Sequence, residues 1–360
     1  MCRGFNKTMA RWWKLSFRIE IPAVENAELE AAVTARWNSL TKPPGSLGRL
    51  ESMVTRLALM QNTMRPVVER KLMVICCADH GVTAEGVSAY PREVTAQMVQ
   101  NFLRGGAAIN VLCRQFGVTP MIVDAGVDGD PVQGVVDCRI GRGTANFVEV
   151  AAMTGAEVER ALENGARLAR EARDRYDVAA VGEMGIGNTT AASALLCAYA
   201  GVDPVHAVGP GTGMTTEGVA RKANVIGRAL RRHREVVAAK DAVGILAALG
   251  GFEIATIAGF LLGAASERLP VVIDGFISSA AAMAAHAIDP KVLPYLVFSH
   301  LSSETAHRRL LAWLGVQPLL DLELRLGEGS GAALAMPVLD AAIALYSRMA
   351  TFAEAGVAEA

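Results

Sequence analysis

The chain has 360 residues, 52% of them hydrophobic and 20% charged, so a sizeable core is supplied, divided over two domains or one large domain with an appendage. With 35 basic against 36 acidic residues and a net charge of -1, no overall field recruits nucleic acid or an anionic membrane. Aromatics are only 5%, and small apolar residues dominate, which favours helices packed closely on a parallel sheet over an all-β sandwich.

The first twenty residues carry Arg3, Lys7, Arg11, Lys14 and Arg18 and lack the apolar core of a signal peptide. They read as a ragged extension, with Met9 an alternative start. The six cysteines form no C-x-x-C pair, and Cys76-Cys77 sits in an apolar run, so a reduced, cytoplasmic compartment is expected. Residues 25–62 read as helical, split by Thr41-Lys42-Pro43-Pro44-Gly45-Ser46-Leu47-Gly48-Arg49-Leu50-Glu51, where Ser46 is expected to cap the second helix. The basic residues of this loop can also reach a neighbouring anionic site.

Leu72 to Cys77 reads as a buried parallel strand ending at Asp79-His80. A metal reading of that pair lacks a second ligand pair at suitable spacing. The next loop and helix offer a Tyr/Met/Gln-lined pocket for a flat aromatic ring, with Gln97 the better candidate for its lining; the alternative is that Val94 and Met98 are simply core. Met121 to Val127 is a second strand, ending in Asp124, and residues 155–175 form a long charged helix. Val178 to Val181 then runs into Gly182-Glu183-Met184-Gly185-Ile186-Gly187-Asn188-Thr189-Thr190 and a helix. Strand, glycine turn and helix make a layout for an anion, but the spacing fits neither a dinucleotide nor a triphosphate motif; a monophosphate remains open. A second glycine turn around Gly211 and then Lys222 suit phosphate and sugar hydroxyls. Ile245 to Ala265 is interrupted by glycines and Glu253 and reads as a buried helix pair rather than a membrane span. Asp274 and Ser302 end two more strands, so Asp79, Asp124, Glu183, Asp274 and Ser302 are expected along one sheet edge. The basic run Arg228 to Arg234 reads as a solvated helix face.

Near the C-terminal end stands Leu326-Gly327-Glu328-Gly329-Ser330-Gly331. Glycines on both sides of Glu328 let the backbone approach a ligand or take turn dihedrals. Alone, the stretch equally suits a helix C-cap followed by a helix start.

Taken together and in order, Thr41–Glu51, Ala78-Asp79-His80-Gly81-Val82, Gly182–Thr190, Val272-Ile273-Asp274-Gly275-Phe276 and Leu326–Gly331 resemble the nicotinate-nucleotide–dimethylbenzimidazole phosphoribosyltransferase family, from about Ile21 to about Ala350. The resemblance implies transfer of phosphoribose from nicotinate mononucleotide to 5,6-dimethylbenzimidazole in cobalamin nucleotide-loop assembly. It assigns Glu328 as general base, Glu183 as an assisting acid, and Gly185, Gly211, Lys222, Asp274 and Ser302 to phosphate and ribose. Ser88 and Gln97 would lie near the benzimidazole. It implies an α/β, doubly wound, mostly parallel Rossmann-like sheet over 66–309 and a small helical domain from 21–65 plus 310–360. A homodimer is implied too, with the Lys42–Glu51 loop reaching the partner's site. No cofactor or metal is called for, because the leaving nicotinate already carries a quaternary pyridinium. The alternatives are a Mg-dependent transferase using phosphoribosyl pyrophosphate, since Val271–Asp274 mimics half of that signature, or a non-catalytic aromatic-base binding protein.

Overall fold

The computed structural model describes residues 17–209 and 215–358. Its centre is a six-stranded, all-parallel sheet of order β3-β2-β1-β4-β5-β6. The strands are β1 (Lys71–Ala78), β2 (Val118–Gly126), β3 (Val136–Asp137), β4 (Val178–Met184), β5 (Val271–Ile273) and β6 (Leu296–Phe298). The order reverses between β1 and β4, the position where doubly wound sheets open a ligand crevice at the strands' C-terminal ends. All eight residues of β1 are buried, Cys76 and Cys77 included, because helices cover both faces and leave no alternation to read.

Helices α1 (Ala27–Ser39) and α2 (Arg49–Gln61) precede the sheet, and α3 (Val94–Arg104) and α4 (Ala108–Phe116) separate β1 from β2. α5 (Gly155–Arg173) leads into β4, followed by α6 (Asn188–Ala200), the short α7 (Pro204–Ala207), α8 (Thr216–Arg232) and the short α9 (Arg234–Ala238). α10 (Ala242–Leu249) and α11 (Phe252–Ser266) come before β5, and α12 (Phe276–Ile288) after it. A two-residue strand β7 (His300–Leu301) pairs with β8 (Leu320–Asp321) around α13 (His307–Leu314), and α14 (Ser330–Arg348) and α15 (Phe352–Ala355) end the chain.

α11 and α12 pack together on one face of the sheet, with α5 outside α11; α3, α4 and α14 cover the other. Gly259 sits where a Cβ would strike the backbone of Leu162, so the glycines that interrupt this apolar helix are contact points with α5. Phe252 to Ala265 is buried throughout, and the expected buried pair is α10 with α11. α14 is long and apolar enough to cross a membrane by length and composition alone. It is packed against α2, α4 and β4, and its Asp340 pairs with Lys71 at 3.0 Å.

The two chain ends meet, since α2 packs on α14, Trp37 stacks at 5.0 Å on Tyr346, and Leu40 bridges to Thr351. Phe17 to Glu20, expected to be ragged, lie against α5, where the Phe17 N–H donates to Glu159 at 3.1 Å. Ser46 does not cap α2. That helix follows Gly48 at φ 55°, and Glu51 instead ties the loop down, accepting from the Leu47 N–H at 3.0 Å and pairing with Lys42 at 2.8 Å.

Candidate active site

β4 delivers Glu183 to its C-terminal end, and the chain turns at Gly185 and Gly187 into α6. A Cβ at Gly185 would collide with the carbonyl of Ala78, so glycine is required where this turn crosses the end of β1. The turn walls a cavity of about 360 Å³, in the usual range for a small-molecule site. Val87, Tyr90, Val94 and Met98 give it an apolar side; Glu183, Lys222, Ser302, Glu304, Arg325 and Glu328 supply charge and hydroxyl groups.

Glu328 enters through backbone geometry that few sequences allow. Gly327, Glu328 and Gly329 are consecutive left-handed residues at φ 85°, 63° and 93°. For glutamate that conformation costs about 1–2 kcal/mol, strain of the kind found where a fold over-determines a side chain. Asp274 holds the turn: its carboxylate accepts from the N–H groups of Gly329 (3.1 Å), Gly331 (2.8 Å) and Ala332 (3.0 Å), capping α14. Only 7% exposed, Glu328 keeps one carboxylate oxygen buried without a partner.

Three of the polar groups are held from behind. Lys222 Nζ donates to Thr189 Oγ1 at 2.8 Å, in the first turn of α6. The N–H of Ser302 donates to His307 Nδ1 at 2.9 Å, and the Ser302 hydroxyl accepts from the Glu304 N–H at 3.2 Å. Glu183 accepts from the side-chain amide of Asn188. The cavity thus pairs a cationic, hydroxyl-bearing helix start with three carboxyls beside an apolar wall.

The model of the DBI_PRT phosphoribosyltransferase family matches residues 22–357. The chain belongs to this family. It is 50% identical over 329 residues to the nicotinate-nucleotide--dimethylbenzimidazole phosphoribosyltransferase of Solidesulfovibrio magneticus, covering 90% of this chain and 93% of that one. The protein of the same name from Cupriavidus necator is 49% identical over 347 residues, 95% and 98% of the two chains. Its fold is similar to a solved structure of that enzyme from Thermus thermophilus, with TM-score 0.87, 44% identity and 93% and 100% of the chains covered. The expected family and parallel α/β architecture therefore hold, and this phosphoribosyltransferase is a pentosyl-transferring enzyme.

Burial sets the charge states of the transferase's cavity. Glu183 is pushed up to about 8, first by burial, then by the charges of Asp274 and Glu253, against the hydrogen bond from Asn188; it holds a proton at pH 7. The Glu328 carboxyl is also raised, mainly by burial, with the backbone of Ile109 opposing and Asp274 adding. Burial lowers Lys222 to about 8, while Glu304 pulls it back up.

Of the residues expected from sequence, Ser88, Glu183, Gly185, Lys222, Ser302 and Glu328 line this one cavity. Gly211 lies outside the described residues. Two expectations need correction. Asp274 does not line the cavity: it is 1% exposed, with its carboxylate engaged by the α14 backbone. Gln97 is exposed on α3 and does not line the cavity, whereas Tyr90 and Met98, with Val94, do form its wall. The row of strand-end groups is likewise only partly a site, because Asp79 accepts from the Asp128 N–H at 2.8 Å and Asp124 from the Val127 N–H at 2.9 Å. Ser302 follows β7, outside the main sheet. His80, beside Asp79, pairs with buried Glu253 at 2.7 Å. Sequence reasoning passed over His300, Glu304 and Arg325 as site residues; their only sequence signal was position within a few residues of Ser302 and Glu328.

Proposed function

We propose that the enzyme moves 5-phosphoribose from nicotinate mononucleotide to 5,6-dimethylbenzimidazole, giving α-ribazole 5′-phosphate and nicotinate, with Glu328 as general base. The observation that carries this reading is the buried, unpartnered oxygen of Glu328 in the wall of a cavity with an apolar side and a cationic helix start. Glu328 takes the azole N–H proton, and the other ring nitrogen uses its lone pair to form the bond to C1′. The C1′–pyridinium bond breaks, and its electrons neutralise the nicotinate ring nitrogen. Attack opposite the leaving ring inverts the β linkage to α. Thr189 at the start of α6, Lys222 reaching it from α8, and Ser302 after β7 suit the phosphate, and Tyr90, Val94 and Met98, with Ser88 beside them, suit the flat base. Asp274 acts on the reaction through the Glu328 turn. The phosphoribosyl pyrophosphate alternative needs Asp274 free for ribose or Mg²⁺, and three backbone N–H groups occupy it; activity should therefore be insensitive to EDTA, and a loss on chelation would favour the alternative.

Purified protein incubated with nicotinate mononucleotide and a panel of benzimidazoles and purines should release nicotinate in step with azole consumption. Absence of azole-dependent nicotinate from every pair rejects the reading. Since Glu328 must be ionised and its carboxyl is raised, kcat/KM should fall as pH drops through a value above the ordinary carboxylate range. As Lys222 loses its proton above about 8, KM for the mononucleotide should rise on the alkaline side. Lys222→Ala should raise that KM about 10- to 100-fold, losing a charge-assisted hydrogen bond, and leave steady-state KM for the azole little changed.

The proposal includes a cytoplasmic homodimer in which the Lys42–Glu51 loop approaches the partner's site. Arg49 donates to the Gln317 carbonyl at 3.2 Å and Lys42 pairs with Glu51, so the loop is a preformed structure. A Lys42→Ala/Arg49→Ala variant with wild-type kinetics would argue against such a role.

A further inference from the structure

His300 is 3% exposed and lines the cavity, yet the steps above do not use it. Its ring lies against Gly331, where a Cβ would overlap Nδ1, three residues beyond Glu328; it also stands two residues before Ser302. The imidazole thus shares one cavity with the carboxylate assigned to the base and the hydroxyl assigned to the phosphate. A nucleotide reaching both groups has its ribose in that cavity.

Neighbouring hydrogen bonds assign its tautomer. The Ser299 hydroxyl lies 3.2 Å from the Asp274 carbonyl and 3.1 Å from His300 Nδ1. A carbonyl can only accept, so the hydroxyl donates there and Nδ1–H donates to Ser299 Oγ. The Asp274 carboxylate, 3.9 Å from Nδ1, favours a proton on the same nitrogen. In the neutral ring this leaves Nε2 with its lone pair. That edge lies beside Gly275, where a Cβ would make van der Waals contact 3.7 Å from Nε2, and both residues line the cavity.

We propose that His300 Nε2 accepts a hydrogen bond from a hydroxyl of the transferred ribose. No proton changes owner; the hydroxyl becomes a stronger donor as C1′ gains positive charge, so the contact tightens in the transition state and acts on kcat more than on KM. The inference rests on the phosphoribosyl-transfer reading and adds the residue that recognises the sugar.

The test compares nicotinate mononucleotide with its 2′-deoxy and 3′-deoxy analogues. Wild-type enzyme should lose about 10- to 100-fold in kcat/KM on one analogue, and His300→Ala should lose a similar factor on the parent while discriminating less than about 3-fold. His300→Gln, whose amide oxygen reaches the Nε2 position, should retain more activity than His300→Asn, which reaches only Nδ1. Thermal melting identifies the folded variants. Undiminished discrimination in folded His300→Ala, or none in the wild type, overturns the contact. If the wild type releases no nicotinate, the transfer reading itself falls. Calorimetry with ribose 5-phosphate and 2- and 3-deoxyribose 5-phosphates then decides the contact separately: a preference for the hydroxyl lost in His300→Ala upholds it, and a preference unchanged in that variant overturns it.

Discussion

Glu328→Gln should lower kcat by about 10²- to 10⁴-fold, the usual contribution of a positioned general base. The amide keeps the shape of the side chain but cannot take the azole proton. Binding of both substrates, read by calorimetry, should stay within about 3-fold of wild type, because neither the apolar wall nor the Lys222 end is touched. Stability should hold or rise slightly, since the change removes a buried carboxylate with an unpartnered oxygen. Full turnover in this variant would remove Glu328 from the mechanism. Loss of binding together with turnover would make it a structural group instead.

Asp274→Asn should be nearly as damaging to catalysis and more damaging to the fold. The carboxylate accepts from three N–H groups through both oxygens. An asparagine can present one oxygen, and its amide then faces an N–H that it cannot accept. With the site 1% exposed, no bulk water repairs the loss, and a cost of about 2–4 kcal/mol is expected. The strained Glu328 turn depends on that cap, so kcat should fall about 100-fold or more, a loss of alignment rather than of a reacting group. Differential scanning calorimetry and kinetics on the same preparation check both effects. A variant that melts like wild type and turns over normally would show that the cap does not hold the base in place.

Much of this site was written in local pattern. β1 and β4 are legible because parallel strands covered on both faces are continuous apolar runs. Glu183, Gly185 and Glu328 are legible because glycine at fixed places marks backbone that another side chain would block, and a carboxylate between such glycines stands out. Neither reading needs knowledge of what packs where.

The partners of side chains were another matter. The family resemblance assigns Asp274 to phosphate and ribose, but its three donors lie 55 to 58 residues further on and reach it only once α14 docks on the sheet. Val94 and Met98 share one face of α3, which their spacing leaves open between core and pocket lining; Gln97, turned off that face, looks from sequence like the better lining. Periodicity shows that a face is covered, not whether protein or ligand covers it, and here the cavity continues the apolar interior. His300 had only its place at a strand exit near Ser302 as a local signal: its proposed role follows from Ser299, Asp274, Gly275 and Gly331 meeting around one ring. Strand, turn and the acid itself were determined by sequence, because local sterics and hydrophobic period dictate them; the use of each acid and imidazole was decided only by tertiary structure, because burial and hydrogen-bond partners exist only after distant segments pack.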